Sequence, residues 1–167
     1  MHIVLVEPEI PQNTGNIARS CAATGSPLHL VGELGFSLED RYLKRAGLDY
    51  WPMVRLSRHQ SLEEAIAGRN FYLASTHGGR NYADVAYGPE DCLVFGRESQ
   101  GLPHELLQRF PDRVIRIPML PGTRSLNLSN SVAVILFEAL RQQGFQGMDP
   151  ALGAPPVPPA LRYALIR

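Results

Sequence analysis

The 167-residue sequence has only two cysteines and one lysine, and it carries no net charge. Cys21 and Cys92 are each followed by apolar residues, and a chain of this size can bury a core without disulfides, so we expect two buried thiols. Sixteen basic side chains balance sixteen acidic ones, which excludes binding of nucleic acid through a strong overall positive field. Any phosphate-binding surface must therefore be a local patch, built almost entirely from arginine.

Long hydrophobic runs are also missing. The N-terminal apolar run, residues 3–6, is too short for a signal peptide or a membrane span, so we expect a cytoplasmic protein that does not contact membranes. No two of the five histidines have zinc-ligand spacing, which predicts that no metal is bound. The sequence contains no Walker A, G-x-G-x-x-G, H-E-x-x-H or G-x-S-x-G motif.

Short apolar runs alternate with helical patterns, which predicts an α/β fold with a mainly parallel sheet and helices on both faces. The predicted strands are residues 3–6, 28–31, 53–56, 71–75, 92–95 and 114–117. The predicted helices are residues 16–24, 39–46, one starting at a Ser61–Glu64 capping box, 104–109, and a long one with an apolar stripe at Val132, Ile135, Leu136, Ala139 and Leu140, ended by Gly144. We expect one domain over residues 1–147 and a proline-rich tail over residues 148–167.

Polar segments follow or precede these elements at three places. In the first, residues 13–19, Asn13 or Thr14 is predicted to cap a helix, and Gly15 to let a substrate approach the backbone. Arg19 follows within the first helical turns, where its guanidinium can reach back to the loop. A helix N-terminus beside an arginine is typical of a site for an anion such as phosphate.

The second segment, residues 93–103, runs from a buried strand into Gly96, Glu98 and Gly101. We interpret these two glycines as positions where a ligand can approach the backbone. The third segment, residues 117–131, places four polar residues at the start of the long helix: Ser125, Asn127, Ser129 and Asn130. A single N-cap would suffice there, so the excess indicates ligand contact or a buried polar network. For residues 77–80 we favour a surface turn over a pocket wall.

Taken together, the three segments resemble the three motifs of the SPOUT superfamily of S-adenosylmethionine-dependent RNA methyltransferases. N-T-G-N-I-A-R is similar to the first motif, V-F-G-R-E-S-Q-G-L-P to the second and R-I-P-M-L-P-G-T-R-S-L-N-L-S-N-S to the third. The opening I-V-L-V-E-P-E-I-P-Q-N-T-G-N and the segment R-A-G-L-D-Y resemble the minimal, single-domain members that 2′-O-methylate the wobble nucleotide, cytidine or uridine 34, of leucine tRNAs. The resemblance covers about residues 2–146 and implies a trefoil knot near the C-terminus.

The resemblance also implies roles for individual residues. The segments around Ala74, Gly96, Ile117, Ser125 and Leu126 would hold the adenine and ribose of S-adenosyl-L-methionine. Arg19 would contact the RNA and assist deprotonation of the ribose 2′-hydroxyl. Glu98, Asn16 and Asn127 would shape the active site across the interface of a homodimer, and the dimer would bind the tRNA anticodon stem-loop without a separate RNA-binding domain.

An arginine stays protonated in proteins, which favours Arg19 as a stabiliser of the developing alkoxide and a nearby phosphate over a general base. The sequence leaves both roles open. It also leaves two alternative functions open. One is ribose methylation at another tRNA or ribosomal RNA position, and the other is RNA binding without catalysis.

Overall fold

The computed structural model describes residues 1–38 and 50–148. In this part of the chain seven strands form one sheet in which every pair of neighbours is parallel. The strands are β1 His2–Val6, β2 Leu28–Val31, β3 Leu56–His59, β4 Phe71–Ala74, β5 Arg80–Asn81, β6 Cys92–Phe95 and β7 Val114–Arg116. Their order across the sheet is β3-β2-β1-β6-β4-β7-β5. The predicted parallel α/β sheet is confirmed.

Helices cover both faces of the sheet. The helices within the described residues are α1 Pro11–Thr24, α2 Leu62–Ile66, α3 His104–Arg109 and α4 Leu128–Gln142. Ile17 of α1 and Ile135 of α4 share one core with alternate sheet residues such as Ile3. Ala65 of α2 and Leu107 of α3 pack on the other face. Because both faces are covered, the central strands β1, β6 and β4 are nearly continuous apolar runs.

The apolar stripe of α4 is buried within the chain itself. Val132, Ile135, Leu136, Ala139 and Leu140 are at most 8% exposed. This confirms the predicted core face of the helix. Both cysteines are also buried, as predicted, and burial raises the pKa of the Cys21 thiol to about 12 and that of Cys92 to about 11.

Two predicted boundaries are wrong by more than one residue. α1 begins at Pro11, not Asn16, because the residues that look like a turn continue a helix whose N-terminus is capped from a distant loop, as described below. The predicted strand at residues 53–56 is instead a 3₁₀ turn at Trp51–Met53, followed by a strand that starts at Leu56. Pro52 favours the turn because it fixes φ and lacks an amide hydrogen.

Several other boundaries agree with the structure. Ser61 caps α2, accepting from the Glu64 amide at 3.3 Å, although the Glu64 carboxylate accepts from the Gln60 amide instead of from Ser61. Gly144 follows α4 in the left-handed conformation, with φ 65°, as expected for a residue that ends a helix. The predicted helix at residues 39–46 and the tail at 149–167 lie outside the described residues.

A row of three histidines crosses one face of the sheet. His59 Nε2 lies 2.9 Å from His29 Nδ1, His29 Nε2 lies 2.9 Å from His2 Nδ1, and His2 Nε2 lies 3.0 Å from a carboxylate oxygen of Glu90. An ionised carboxylate only accepts hydrogen bonds, so His2 donates to it from Nε2. His2 Nδ1 then accepts, and the same orientation repeats through His29 to His59. One set of neutral Nε2–H tautomers therefore satisfies the whole row.

This row predicts that the protein loses stability in mild acid. Burial, followed by the neighbouring His2, His59 and Arg69, lowers the pKa of His29 from 6.5 to about 4. The folded protein therefore binds fewer protons than the unfolded chain between these values, and the free energy of unfolding falls as the pH drops from 6.5 to about 4. Urea unfolding at several pH values measures this loss. His29→Phe lacks the titrating group, so its stability should depend less steeply on pH, and an unchanged dependence would contradict the assignment.

Candidate active site

A cleft of about 500 Å³ lies where four strands of the sheet end. Its walls come from the segments that follow β1, β4, β6 and β7, and from the start of α4. Parallel strands place their carboxyl ends at one edge, so the segments that follow neighbouring strands converge there. The volume falls within the range of about 300–1,000 Å³ that is typical of small-molecule sites.

All five residues predicted to bind the cofactor line this cleft: Ala74, Gly96, Ile117, Ser125 and Leu126. Glu98 and Asn127, two of the predicted catalytic residues, line it too. The structure therefore brings the three predicted segments together at one cleft, although binding by each residue stays a prediction. Residues 75–77 also line the cleft. His77 lies in an exposed turn, as favoured for residues 77–80, but this turn also forms part of the cleft wall.

The loop Arg97–Gly101 closes tightly on itself at one wall of the cleft. The Gly101 amide donates to the Arg97 carbonyl at 2.8 Å, and Gly101 has φ 72°. A Cβ on Gly96 would lie 2.1 Å from the carbonyl carbon of Gly101. The space that a side chain of residue 96 would occupy is thus filled by the loop's own backbone, while Gly96 itself lines the cleft; ligand approach to its backbone stays a prediction.

Glu98 caps the N-terminus of α1 from outside the helix. Its carboxylate accepts hydrogen bonds from the Glu9 amide at 2.8 Å, the Ile10 amide at 3.3 Å and Asn13 Nδ2 at 2.9 Å. The residue at the N-cap position, Ile10, has no side chain that could cap the helix. A carboxylate at this position satisfies free backbone amides and is stabilised by the helix dipole.

Asn13 connects the three polar segments. Its Nδ2 donates to Glu98 in the second segment, and its Oδ1 accepts from Asn127 Nδ2 in the third at 2.9 Å. Asn127 also caps α4, because its Oδ1 accepts from the Ser129 amide at 2.9 Å. Asn13 is only 5% exposed, and neither Asn13 nor Thr14 caps α1, contrary to the prediction. A polar network thus joins the third segment to Asn13, a member that the sequence did not identify, but Asn127 itself is exposed, so the network is not a buried one.

The other two predicted catalytic residues lie away from the cleft wall. Asn16 is exposed on α1, and neither Asn16 nor Arg19 lines the cleft. The Arg19 guanidinium lies 4.8 Å from the centroid of the Tyr50 ring and donates to the Tyr50 hydroxyl at 3.4 Å. At about 1.5 Å per residue, Arg19 is about 9 Å along the helix axis from Asn13. The two residues therefore belong to a surface beside the cleft, and their catalytic roles stay predictions.

The described residues offer neither a membrane span nor a metal site. None of their helices has the length and apolar character needed to cross a membrane. They contain no group of three or more His, Cys, Asp or Glu side chains that could hold a metal ion. The three hydrogen-bonded histidines lie in a row and do not converge on one point.

Comparison with known proteins identifies the family. The sequence model of the SpoU rRNA Methylase family matches residues 1–137. The chain belongs to this family. This SpoU-family chain is 52% identical over 149 residues to the tRNA (cytidine(34)-2'-O)-methyltransferase of Methylovorus glucosotrophus (strain SIP3-4), a match that covers 87% of this chain and 97% of the relative.

Solved structures agree with this assignment. A structure described as "Structural insights into the 2-OH methylation of C/U34 on tRNA" matches the SpoU-family chain with a TM-score of 0.81 and 48% identity, covering 86% of this chain and 95% of the other. The SpoU methyltransferase AviRb from Streptomyces viridochromogenes, in complex with the cofactor AdoMet, matches with a TM-score of 0.74 and 27% identity. That match covers 86% of this chain and 60% of AviRb.

Proposed function

We propose that this chain is an S-adenosyl-L-methionine-dependent enzyme that methylates the ribose 2′-hydroxyl of cytidine or uridine 34 in leucine tRNAs in the cytoplasm. The observation that carries the proposal is the convergence of Ala74, Gly96, Ile117, Ser125 and Leu126 on one cleft beside Glu98 and Asn127. Relatives of about 50% identity, which match nearly their whole length, act on tRNA nucleotide 34 according to their names. We propose the same nucleotide for this chain.

The cleft has the character that a nucleoside cofactor requires. Apolar side chains of Ile115, Ile117 and Leu126 provide surfaces for a flat base, and the segments 96–102 and 125–128 offer backbone and side-chain groups for hydrogen bonds. Ala74 and the neighbouring Ser75 would lie beside the same molecule. These residues fit S-adenosyl-L-methionine, which supplies an electrophilic methyl group when it is bound.

The residues of the chain then position the acceptor. Displacement at the methyl carbon requires the attacking oxygen to be aligned with the bond that breaks, so orientation provides much of the rate. Arg19 stabilises the negative charge that develops on the ribose oxygen and holds an adjacent phosphate. The Glu98 carboxylate accepts three hydrogen bonds from groups of this chain, so we assign it to holding the segments together and not to removing the proton.

We also propose a homodimer that brings Arg19 and Asn16 of one copy to the cleft of the other. The core-facing stripe of α4 is buried within the chain and is not available for this contact. Instead, Val134 and Phe137 lie three residues apart on the outer side of α4 and are 38% and 47% exposed. An exposed aliphatic and aromatic pair on a helix suits the centre of a subunit interface.

Phe137→Glu should weaken this dimer at least tenfold, because it would place a charge in an apolar contact. Light scattering at micromolar concentration measures the mass directly. Ala67→Glu is the control for an added surface charge, since Ala67 is exposed and follows α2, on the opposite face of the sheet from α1 and α4. A wild-type monomer at this concentration would refute the dimer.

The knot implied by the sequence resemblance is part of the proposal. The segments after β6 and β7, which would form it, lie side by side in the cleft wall, and β7 is placed between β4 and β5 although it follows both in the chain. Tracing the backbone in a crystal structure tests this. A chain that becomes straight when its two ends are pulled apart would contradict it.

A methyl-transfer assay on unmodified tRNA, followed by mass spectrometry of the product, tests the function. We expect one added methyl group on the ribose of nucleotide 34. Mass spectrometry of tRNA from a deletion strain identifies the target in the cell. Retained methylation at nucleotide 34 would contradict the assignment, and binding of tRNA without transfer would favour a non-catalytic role.

A further inference from the structure

The segment Glu7–Ile10 and the loop Arg97–Gly101 hold each other by contacts that run in both directions. The Glu98 carboxylate accepts from the backbone of Glu9, and the Glu9 carboxylate accepts from the backbone amide of Ser99 at 2.9 Å and from the Ser99 hydroxyl at 2.8 Å. Beside them, Arg97 forms an ion pair with Glu7. Three successive loop residues are thus tied to one short segment.

The Glu7–Ile10 segment is itself hydrogen-bonded to the end of β2 and to the loop that follows β2. The Glu7 amide donates to the Val31 carbonyl at the end of β2, at 2.9 Å, and the Gly35 amide donates to the Pro8 carbonyl at 3.0 Å. A Cβ on Gly35 would lie 2.8 Å from the Glu9 Cα, so the two backbones are packed directly together. The backbone that carries the Glu9 side chain is therefore held in place.

Ser99, in contrast, is exposed at the tip of its loop, and the whole of Arg97–Gly101 lines the cleft. The position of this tip decides how closely the loop approaches a molecule bound in the cleft. A carboxylate with two oxygens fixes both the amide and the hydroxyl of Ser99, and so restrains the tip at two points.

We infer that Glu9 is a positioning residue, whose carboxylate holds the Ser99 tip in the conformation that binds the cofactor. This inference rests on the proposed function, since it assigns the cleft to S-adenosyl-L-methionine. Glu9 acts through Ser99 and does not need to touch the cofactor.

The hydrogen-bonding groups of Ser99 allow a test that distinguishes Glu9 from Glu98. Ser99 offers one amide, which only donates, and one hydroxyl, which can donate or accept. A glutamine at residue 9 can therefore keep both contacts, accepting from the amide and donating to the hydroxyl. Glu98 differs, because two of its three partners are backbone amides that only donate, and its third partner, Asn13, is committed to Asn127.

The experiment measures binding of S-adenosylhomocysteine by calorimetry for the wild type, Glu9→Ala, Glu9→Gln, Ser99→Ala and the Glu9→Ala/Ser99→Ala double variant. We expect about tenfold weaker binding for Glu9→Ala, and a Glu9→Gln affinity within about threefold of the wild type. The double variant should be no weaker than Glu9→Ala alone, because each change removes part of the same contact. Glu63→Ala, an exposed carboxylate of α2, is the control for loss of charge.

A folding defect would look different from a positioning defect. Unfolded protein lowers the number of sites measured by calorimetry and leaves the affinity of the remaining sites unchanged. Wild-type affinity in Glu9→Ala, independent effects of the two changes in the double variant, or a Glu9→Gln protein as weak as Glu9→Ala would each overturn the inference. If the wild type itself does not bind S-adenosylhomocysteine, the proposed function fails instead.

Discussion

Arg19→Ala is expected to lower the rate of methyl transfer about 10²–10³-fold, by analogy with the removal of a single donor to a reacting oxygen. The reason is the loss of a charge-assisted contact to the ribose oxygen or its phosphate. Arg19 does not line the cleft, so the affinity for the cofactor should change by less than about 1 kcal/mol. Single-turnover assays on tRNA and calorimetry with S-adenosylhomocysteine measure the two effects separately.

Arg19→Lys distinguishes charge from shape at this position. Lysine keeps the positive charge but loses the planar fork that binds a phosphate at two points, and its contact with the Tyr50 ring would change as well. We expect a rate between those of the wild type and Arg19→Ala. Loss of cofactor binding in Arg19→Ala, or transfer at the full rate, would show that the role assigned to Arg19 is wrong.

The elements that follow a local pattern were predictable from the sequence. The buried strands at 28–31 and 92–95 and the helix at 104–109 have the predicted limits, because apolar runs and the proline before a helix are signals within one stretch of chain. The start of α1 was not predictable in this way. Its cap is Glu98, which accepts hydrogen bonds from backbone amides 88 and 89 residues away in the sequence, and no local rule includes such a partner.

The candidate site, too, was predictable only where local patterns or the family motifs indicate it. The cleft residues were predictable because segments that follow neighbouring parallel strands must meet at one edge, and because the motifs resemble those of a known family. Asn13 was predicted to be a helix cap because asparagine is a common capping residue. Its actual partner, Asn127, lies 114 residues further along the chain, so no local pattern could indicate this hydrogen bond. The histidine row was missed because zinc-ligand spacing is a rule for a short segment, whereas these histidines come from three separate strands.

Gly96→Ala is expected to destabilise the protein by about 3 kcal/mol or more and to abolish cofactor binding. The added Cβ would lie 2.1 Å from the Gly101 carbonyl carbon and 2.3 Å from the Leu102 amide nitrogen. Both are backbone atoms, so no side chain can rotate away to relieve the contact. Opening the loop instead would break the hydrogen bond between Gly101 and Arg97 and would move Glu98 away from α1.

Gly101→Ala provides the matched control, because it adds the same methyl group to the other end of the same loop. Nothing lies within 4 Å of the position that its Cβ would occupy, and only the left-handed φ of 72° is unfavourable. That conformation costs about 1–2 kcal/mol for a residue other than glycine. Urea unfolding gives the free energy of unfolding of both variants, and so compares the loss of stability caused by atomic overlap with the loss caused by backbone strain. If Gly96→Ala is no less stable than Gly101→Ala, or if it binds S-adenosylhomocysteine like the wild type, then the close packing at Gly96 does not hold the cleft wall in place.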